Sequence, residues 1–347
     1  MLVTIGPERT LRDPWMLGPL RVPNRVMLAP LAGIGNWFVR LQAKRYGAGM
    51  AVSEMVSSHA VHYGNRKTCT ELLRIDERER EGGPVSIQLF GEEPEIMRSA
   101  AARVVAAGAD AIDINMGCPV PKVARTGAGA ALLADHERAL ALALAAVEGA
   151  SGERAGVPVT VKLRSGLRVG EHSGFELAHR LVAEAGVAAI AFHPRAAAVH
   201  HKGSPDYELV RELARTLPAP VVLSGGLYEA RHVREVLGAT GATAVMLARG
   251  ALGNPWLFEE LLSGREQPPA PGEVIAELHW TMARAGEHLG EERAARYLRK
   301  FYPWYVPRLG LPAQAERELQ QALQVSISLA QARSLLARAW RPLSAAA

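Results

Sequence analysis

The sequence predicts an α/β chain, a (β/α)8 barrel of the TIM type followed by a small all-helical C-terminal domain. Three observations carry this. Eight short apolar runs alternate with longer segments of helical period between residue 25 and about residue 262. Polar residues gather where those runs end. Past a Gly- and Pro-rich break at Gly264–Pro271 (GREQPPAPG nearby) the chain is helical in period and offers no strand candidate. Each run is apolar on both faces, as strands of a covered parallel sheet must be. Eight strand–helix units in this length suit a closed barrel better than an open doubly wound sheet.

In chain order, the first two dozen residues are rich in Pro, Gly and Arg and suit a surface hairpin leading into Arg25. The runs follow at Val26–Ala29, Ala51–Val56, Val85–Phe90, Ala111–Asn115, Val159–Leu163, Ala189–His193, Val221–Ser224 and Ala244–Ala248. Between them, Glu93–Ala107, Asp135–Val147, Gly174–Ala185 and Glu229–Leu237 read as helices. Residues 1–264 then form the barrel and 272–347 the helical domain, with helices expected over Glu273–His288, Glu292–Tyr302, Ala313–Gln324 and Leu329–Ala339.

Ligands of parallel α/β folds sit at the carboxyl ends of the strands. The stretch Asp113–Lys122 (DINMGCPVPK) starts as a buried strand, breaks at Gly117 and presents Cys118 at that end. Glycine permits the tight turn, and Pro119 restricts the cysteine before it. A purely structural cysteine is the competing reading. Other runs end in Gln88, in Lys162 and Arg164, and in His193 and Arg195. The last two end in Ser224-Gly225-Gly226 and Ala248-Arg249-Gly250, the positions where barrels often bind phosphate. Gly127-Ala128-Gly129 lacks the third glycine of a dinucleotide fingerprint. His200-His201 has no carboxylate or cysteine at ligand spacing, and His59 and His62 suit helix packing, so no metal site is expected.

Two cysteines cannot build a disulfide framework. With neither a signal peptide nor a membrane-spanning run evident, a cytoplasmic protein without membrane association is expected. The net charge of +5 is unevenly placed: from Arg293 onward it is +7, and the preceding residues sum to −2. A basic tail on a nearly neutral body suits an anionic partner such as nucleic acid. Arg293, Arg296 and Lys300 fall at i, i+3 and i+7 among Tyr297, Phe301, Tyr302, Trp304 and Tyr305, a mixture that suits RNA phosphates and unstacked bases. The competing reading has the aromatics in a core and the charges merely solvated.

The segments LAPLAG at 28–33, SEMVSS at 53–58, QLFG at 88–91, DINMGCPVPKV at 113–123 and VKLRSG at 161–166 resemble those of the tRNA-dihydrouridine synthases. So do HPR at 193–195, SGG at 224–226 and RKFYPWY at 299–305, and the closest likeness is to the bacterial synthase B branch. The resemblance implies an FMN barrel and a helical tRNA-binding domain, with NADPH or NADH as transient reductant and no obligate protein partner. It implies reduction of D-loop uridines, with hydride passing from N5 of the reduced flavin to uracil C6 and a proton from Cys118 to C5. By motif match, Pro30, Leu31, Ala32, Gln88, Lys162, His193, Ser224, Gly225, Gly226, Ala248 and Arg249 would contact FMN. Asn115, Lys122, Arg164 and Arg195, again with His193, would line the uracil and nearby RNA, and Arg293, Arg296 and Lys300 would meet the tRNA. Leu31, Gly35-Asn36, Ser224 and Ala248 depart from the commonest pattern. A thiol of ordinary pKa, ~8.5, is mostly protonated at neutral pH and can serve as an acid. Two rival readings stay open: a flavin barrel for a small molecule, akin to dihydroorotate dehydrogenase, and a non-catalytic RNA-binding protein on a degenerate barrel.

Overall fold

The computed structural model describes residues 10–265 and 267–344. Strands β1 (Trp15–Leu17) and β2 (Leu20–Val22) pair as an antiparallel hairpin, Trp15 opposite Val22. Eight parallel strands follow and close into a barrel: β3 (Val26–Leu28), β4 (Met50–Ser57), β5 (Val85–Phe90), β6 (Ala111–Met116), β7 (Val159–Arg164), β8 (Ala189–His193), β9 (Val221–Ser224) and β10 (Ala244–Leu247), with β10 pairing back onto β3. Helices Trp37–Arg45, Ser58–His62, Pro94–Ala106, His136–Glu153, Ser173–Ala185, Tyr207–Thr216 and Ala230–Thr240 lie in the return connections.

The hairpin is not a surface feature. Trp15, Leu17 and Val22 are buried and join one apolar cluster with Met27, Met50, Val52, Ala111, Ala189, Ala191, Val222, Ala244 and Met246. These barrel residues alternate along their strands, as inward positions must, and their amino-terminal mouth needs an apolar plug. The hairpin supplies it, with the Trp15 indole donating to the Asn24 carbonyl at 3.0 Å.

Cross-strand register extends this inward set toward the other mouth. Gln88 lies opposite Asp113, Asp113 opposite Thr160, Asn115 opposite Lys162, and Arg164 opposite His193. The lumen therefore runs from apolar to polar along the strand direction. In β4 the pairing slips between Val52 and Met55, a bulge that places Met55 opposite Gln88. Without it, alternation from Val52 would turn Glu54 into the barrel. Instead the Glu54 carboxylate accepts from the Gly33 amide at 2.8 Å and steadies the loop after β3. The buried Arg40 guanidinium ties that loop further, donating to the Gly35 carbonyl and to Glu79.

The chain divides into two compact units. One runs to Gly250 and resumes over Leu257–Gly264; the other holds Ala251–Trp256 and everything from Arg265 onward. Ala251–Trp256 joins the helical unit through Gly253, whose backbone lies so close to Trp304 that a Cβ there would meet it at 2.6 Å. The helical unit contains Pro271–Leu289, Glu291–Leu298, Tyr302–Tyr305, Ala313–Val325 and Leu329–Ser344. The helix expected over Glu292–Tyr302 stops at Leu298, so Lys300 does not share a helical face with Arg293 and Arg296. Its end coincides with Phe301, Tyr302 and Tyr305 turning into the core, each at most 3% exposed, and Pro303, which has no N–H to give the Arg299 carbonyl, lies in a separate short helix, Tyr302–Tyr305. Those three rings are core residues and not stacking platforms.

Leu17→Ala empties a fully buried position of the plug. Urea unfolding should show a loss of about 2–5 kcal/mol; a change below half a kcal/mol would mean that the hairpin does not close the core.

Candidate active site

The polar mouth collects the side chains that the sequence singles out in the barrel. Gln88 and Asn115 are buried, as are Arg164, His193, Arg195 and Ser224. Lys162 and Cys118 are half-buried, and Lys122 and Arg249 are exposed. Pro30, Leu31 and Ala32 form the loop after β3, where the Leu31 carbonyl accepts from the Gly35 amide at 2.7 Å. Arg293, Arg296 and Lys300 belong to the helical unit and are exposed; Arg296 pairs with Glu292 at 2.7 Å, and Lys300 lies 4.9 Å from the Tyr297 ring centroid.

Cys118 is held by its backbone. Its amide and that of Gly117 donate to Asn115 Oδ1 at 2.9 and 3.2 Å. Its carbonyl accepts from the Ala130 amide at 3.0 Å. Gly129, at φ +62°, packs beneath it, where a Cβ would meet the Cys118 carbonyl oxygen at 2.7 Å. The Gly-Ala-Gly stretch thus folds the loop back under the cysteine. Arg164 clamps the same loop: Nε donates to the Gly117 carbonyl at 2.9 Å, and Nη1 to those of Ala196 and His200 at 3.1 and 2.7 Å. The guanidinium expected to reach a substrate is largely committed to joining the loops after β6 and β8.

Deeper in the lumen, Asp113 accepts from Thr160 Oγ1 at 2.5 Å and Gln88 Nε2 at 2.6 Å. Gln88 Oε1 accepts from Asn115 Nδ2 at 2.9 Å. Burial pushes the Asp113 carboxyl up; its two hydrogen bonds and nearby Lys162 oppose this. Burial lowers the Lys162 ammonium, Arg164 adds to the effect, and Asp113 partly restores it. Sequence reading missed Thr160 and gave Asp113 no role, although Asp113 alternates with Asn115 in an otherwise apolar strand.

His193 caps β8. Arg195 Nη1 donates to its Nε2 at 3.1 Å, which leaves the ring proton on Nδ1, while Arg195 Nε and Nη2 grip the Gly203 carbonyl. Burial, with Lys162, Arg164 and Arg195 nearby, drives the imidazole far below its usual 6.5, so it stays neutral. Its ring lies over Gly225, where a Cβ would clash with Cδ2 at 2.3 Å; the glycine, at φ +96°, is required by this contact. After β10, Gly250 packs on the Leu227 carbonyl and Arg249 stands 5.5 Å from the Tyr228 ring centroid, so the turns after β9 and β10 meet. Lys162, Arg164, Arg195 and Arg249 gather positive charge at this mouth. His59 pairs with Glu93 at 3.1 Å and His62 with Ser99 at 2.8 Å, both as helix-anchoring contacts.

A closed parallel barrel with a cysteine, paired amides and a cationic rim at its carboxyl mouth defines an α/β-barrel enzyme. Residues 27–339 match the family model for dihydrouridine synthase, and the chain belongs to that family. It is 37% identical over 298 residues to tRNA-dihydrouridine synthase B of Pseudomonas aeruginosa, covering 84% of this chain and 87% of that protein. It is 35% identical over 327 residues to a probable tRNA-dihydrouridine synthase of Mycobacterium tuberculosis, covering 89% and 80%. Morphinone reductase is similar in fold, with a TM-score of 0.54 at 19% identity over 76% of this chain and 92% of that one. The protein is thus an enzyme of the tRNA-dihydrouridine synthase kind. Among the described residues, no helix is long and apolar enough to cross a membrane.

A histidine that stays neutral when folded but takes a proton near 6.5 when unfolded makes stability fall as pH drops below that value, by up to about 1.4 kcal/mol per pH unit. Urea unfolding between pH 5 and 7 should show a shallower acid loss for His193→Gln than for the wild type. Equal slopes would remove His193 from this account.

Proposed function

We propose that the enzyme reduces uridines in the D-loop of tRNA to 5,6-dihydrouridine, with FMN as resident cofactor and NADPH or NADH as transient reductant. The observation that carries this reading is the placement of Cys118, half-buried and pinned by its backbone, at the mouth that gathers Lys162, Arg195 and Arg249. The chemistry of that mouth suits FMN. Glycines 225 and 226, Ser224, Ala248 and Arg249 would hold the phosphate. Pro30, Leu31, Ala32, Gln88, Lys162 and His193 would hold the ring system, with Lys162 offering positive charge to it. The chemistry that FMN would supply when held by these residues is a hydride for uracil C6, drawn in turn from NADPH or NADH.

The chain's own residues do the rest. Cys118 Sγ holds the proton destined for C5, and its half-buried position admits a base while limiting water. Asn115 and Arg195 offer donors to the uracil carbonyls, where charge develops before that proton arrives. Arg164, through its three carbonyls, keeps the Cys118 loop against the loop after β8. Lys122, exposed on the short helix Pro121–Ala124, reaches the RNA flanking the target base. Residues 1–264 act as the catalytic barrel and 272–347 as the tRNA-binding domain.

Purified protein should carry extractable FMN and, with NADPH and tRNA lacking the modification, form dihydrouridine at D-loop positions mapped by sequencing. Cys118→Ala should keep flavin and NADPH oxidation while uridine reduction falls about 10²–10⁴-fold. Wild-type oxidation of the reduced flavin by tRNA in that variant would remove Cys118 as the acid, and protein that cannot take up FMN would overturn the whole reading.

Neutralising Arg293, Arg296 and Lys300 together should weaken tRNA binding and leave flavin content intact. Each lost phosphate contact should reduce the slope of log affinity against log salt by roughly 0.7–0.9. Unchanged affinity and slope would place the RNA surface elsewhere.

A further inference from the structure

We propose that Asp113 and Thr160 are positioning residues that set the direction of a hydrogen-bond relay ending on the backbone of Cys118. The proposal rests on the assignment of Cys118 to uridine reduction and extends it to residues with no place in that chemistry.

Every link of the relay runs one way. The amides of Gly117 and Cys118 can only donate, so they require Oδ1 of Asn115. That turns Nδ2 of Asn115 onto Oε1 of Gln88, and Nε2 of Gln88 onto Oδ2 of Asp113. A carboxylate can only accept, so the far end demands the orientation that the backbone amides demand at the near end. Two primary amides, each able to flip, are thereby held in one state by groups that cannot. Register places the links side by side: Gln88 opposite Asp113 and Asp113 opposite Thr160 across three neighbouring strands. Asp113 is 1% exposed, Gln88 1% and Asn115 8%, so water is poorly placed to substitute for a lost partner. Thr160 closes the far end by donating to the second carboxylate oxygen. A flipped Gln88 would set its amide nitrogen against that of Asn115, and a flipped Asn115 would leave the Gly117 and Cys118 amides facing a donor.

Thr160 has a second capacity that makes the proposal testable with near-isosteric changes. A hydroxyl both donates and accepts. In Asp113→Asn it can accept from the new amide nitrogen, so the new amide oxygen still faces Gln88 and the direction survives. In Thr160→Val the carboxylate still permits only acceptance. Only with both changes does the amide at 113 lose every partner on its far side, leaving one buried end unpaired whichever end faces Gln88.

The test is a double-mutant cycle of Asp113→Asn and Thr160→Val, read in two ways. The first is hydrogen exchange in the peptide spanning Met116–Val120, where Pro119 has no amide and Gly117 and Cys118 dominate. The second is the single-turnover rate of uridine reduction by the flavin-loaded enzyme. Thr160→Val alone should cost less than about threefold at Cys118, because the carboxylate still only accepts and Gln88 keeps its direction. Any cost of removing the charge beside Lys162 is carried by Asp113→Asn alone and cancels in the cycle. The double variant should exchange faster in that peptide, and react slower, by about tenfold or more beyond the product of the single effects. Exchange in the strands β8 to β10 should keep its wild-type rate. A double variant matching the product of the singles within about twofold in the exchange readout overturns the proposal. Exchange needs neither flavin nor tRNA, so it judges the relay even where the wild type reduces no uridine, and that second failure would count against the functional reading instead.

Discussion

The parity of the inward positions governs this molecule. Along each barrel strand every second residue enters the lumen, and the sequence spends those positions on small or apolar side chains at one end and polar ones at the other. On β6 the three are Ala111, Asp113 and Asn115; on β8 they are Ala189, Ala191 and His193. A one-residue slip would bury the wrong set and dissolve the site. Among the described residues, parity changes at the β4 bulge, and this serves the site twice. Met55 enters beside Asn115, with Nδ2 and Sδ 3.9 Å apart, and Glu54 leaves to brace the loop after β3.

The mouth so built is rich in positive charge. Lys162, Arg164 and Arg195 converge where the acid set against Lys162, Asp113, lies deep and is itself disfavoured as an anion. Burial and mutual repulsion lower Arg164, to about 10, yet leave it charged. Neutral His193 spares the cluster a further cation. Such a mouth is stable with an anion in it, which fits a ligand bearing a phosphate and an RNA substrate bringing more.

Much of this was legible in the sequence. Eight apolar runs gave the barrel, because covered parallel strands leave few other ways to be apolar on both faces; Val85–Phe90, Ala189–His193 and Val221–Ser224 have the expected limits. Features that depend on partners distant in sequence were not legible. The hairpin reads as surface because Pro, Gly and Arg surround it; that Trp15, Leu17 and Val22 fill a barrel mouth follows only once the barrel exists. Arg164 looks like a ligand residue because nothing local reveals the three carbonyls it holds. The helix over Glu292–Tyr302 failed where Phe301 and Tyr302 turn into the core. A stronger weight on these two as apolar residues at adjacent positions would have ended it near Leu298.

Closure carries a consequence for how the chain is made. The seam joins β3 to β10, reinforced by Arg25 donating to the Thr243 carbonyl at 2.7 Å across 218 residues. Until β10 has left the ribosome, β3 has a bare edge and the growing sheet is an open fan with its apolar interior uncovered. The nascent barrel therefore depends on its local strand–helix units to keep it soluble, and it becomes a cylinder only when its last strand arrives. Because Ala251–Trp256, directly after that strand, belongs to the helical unit, synthesis of the second body begins as soon as the first can shut.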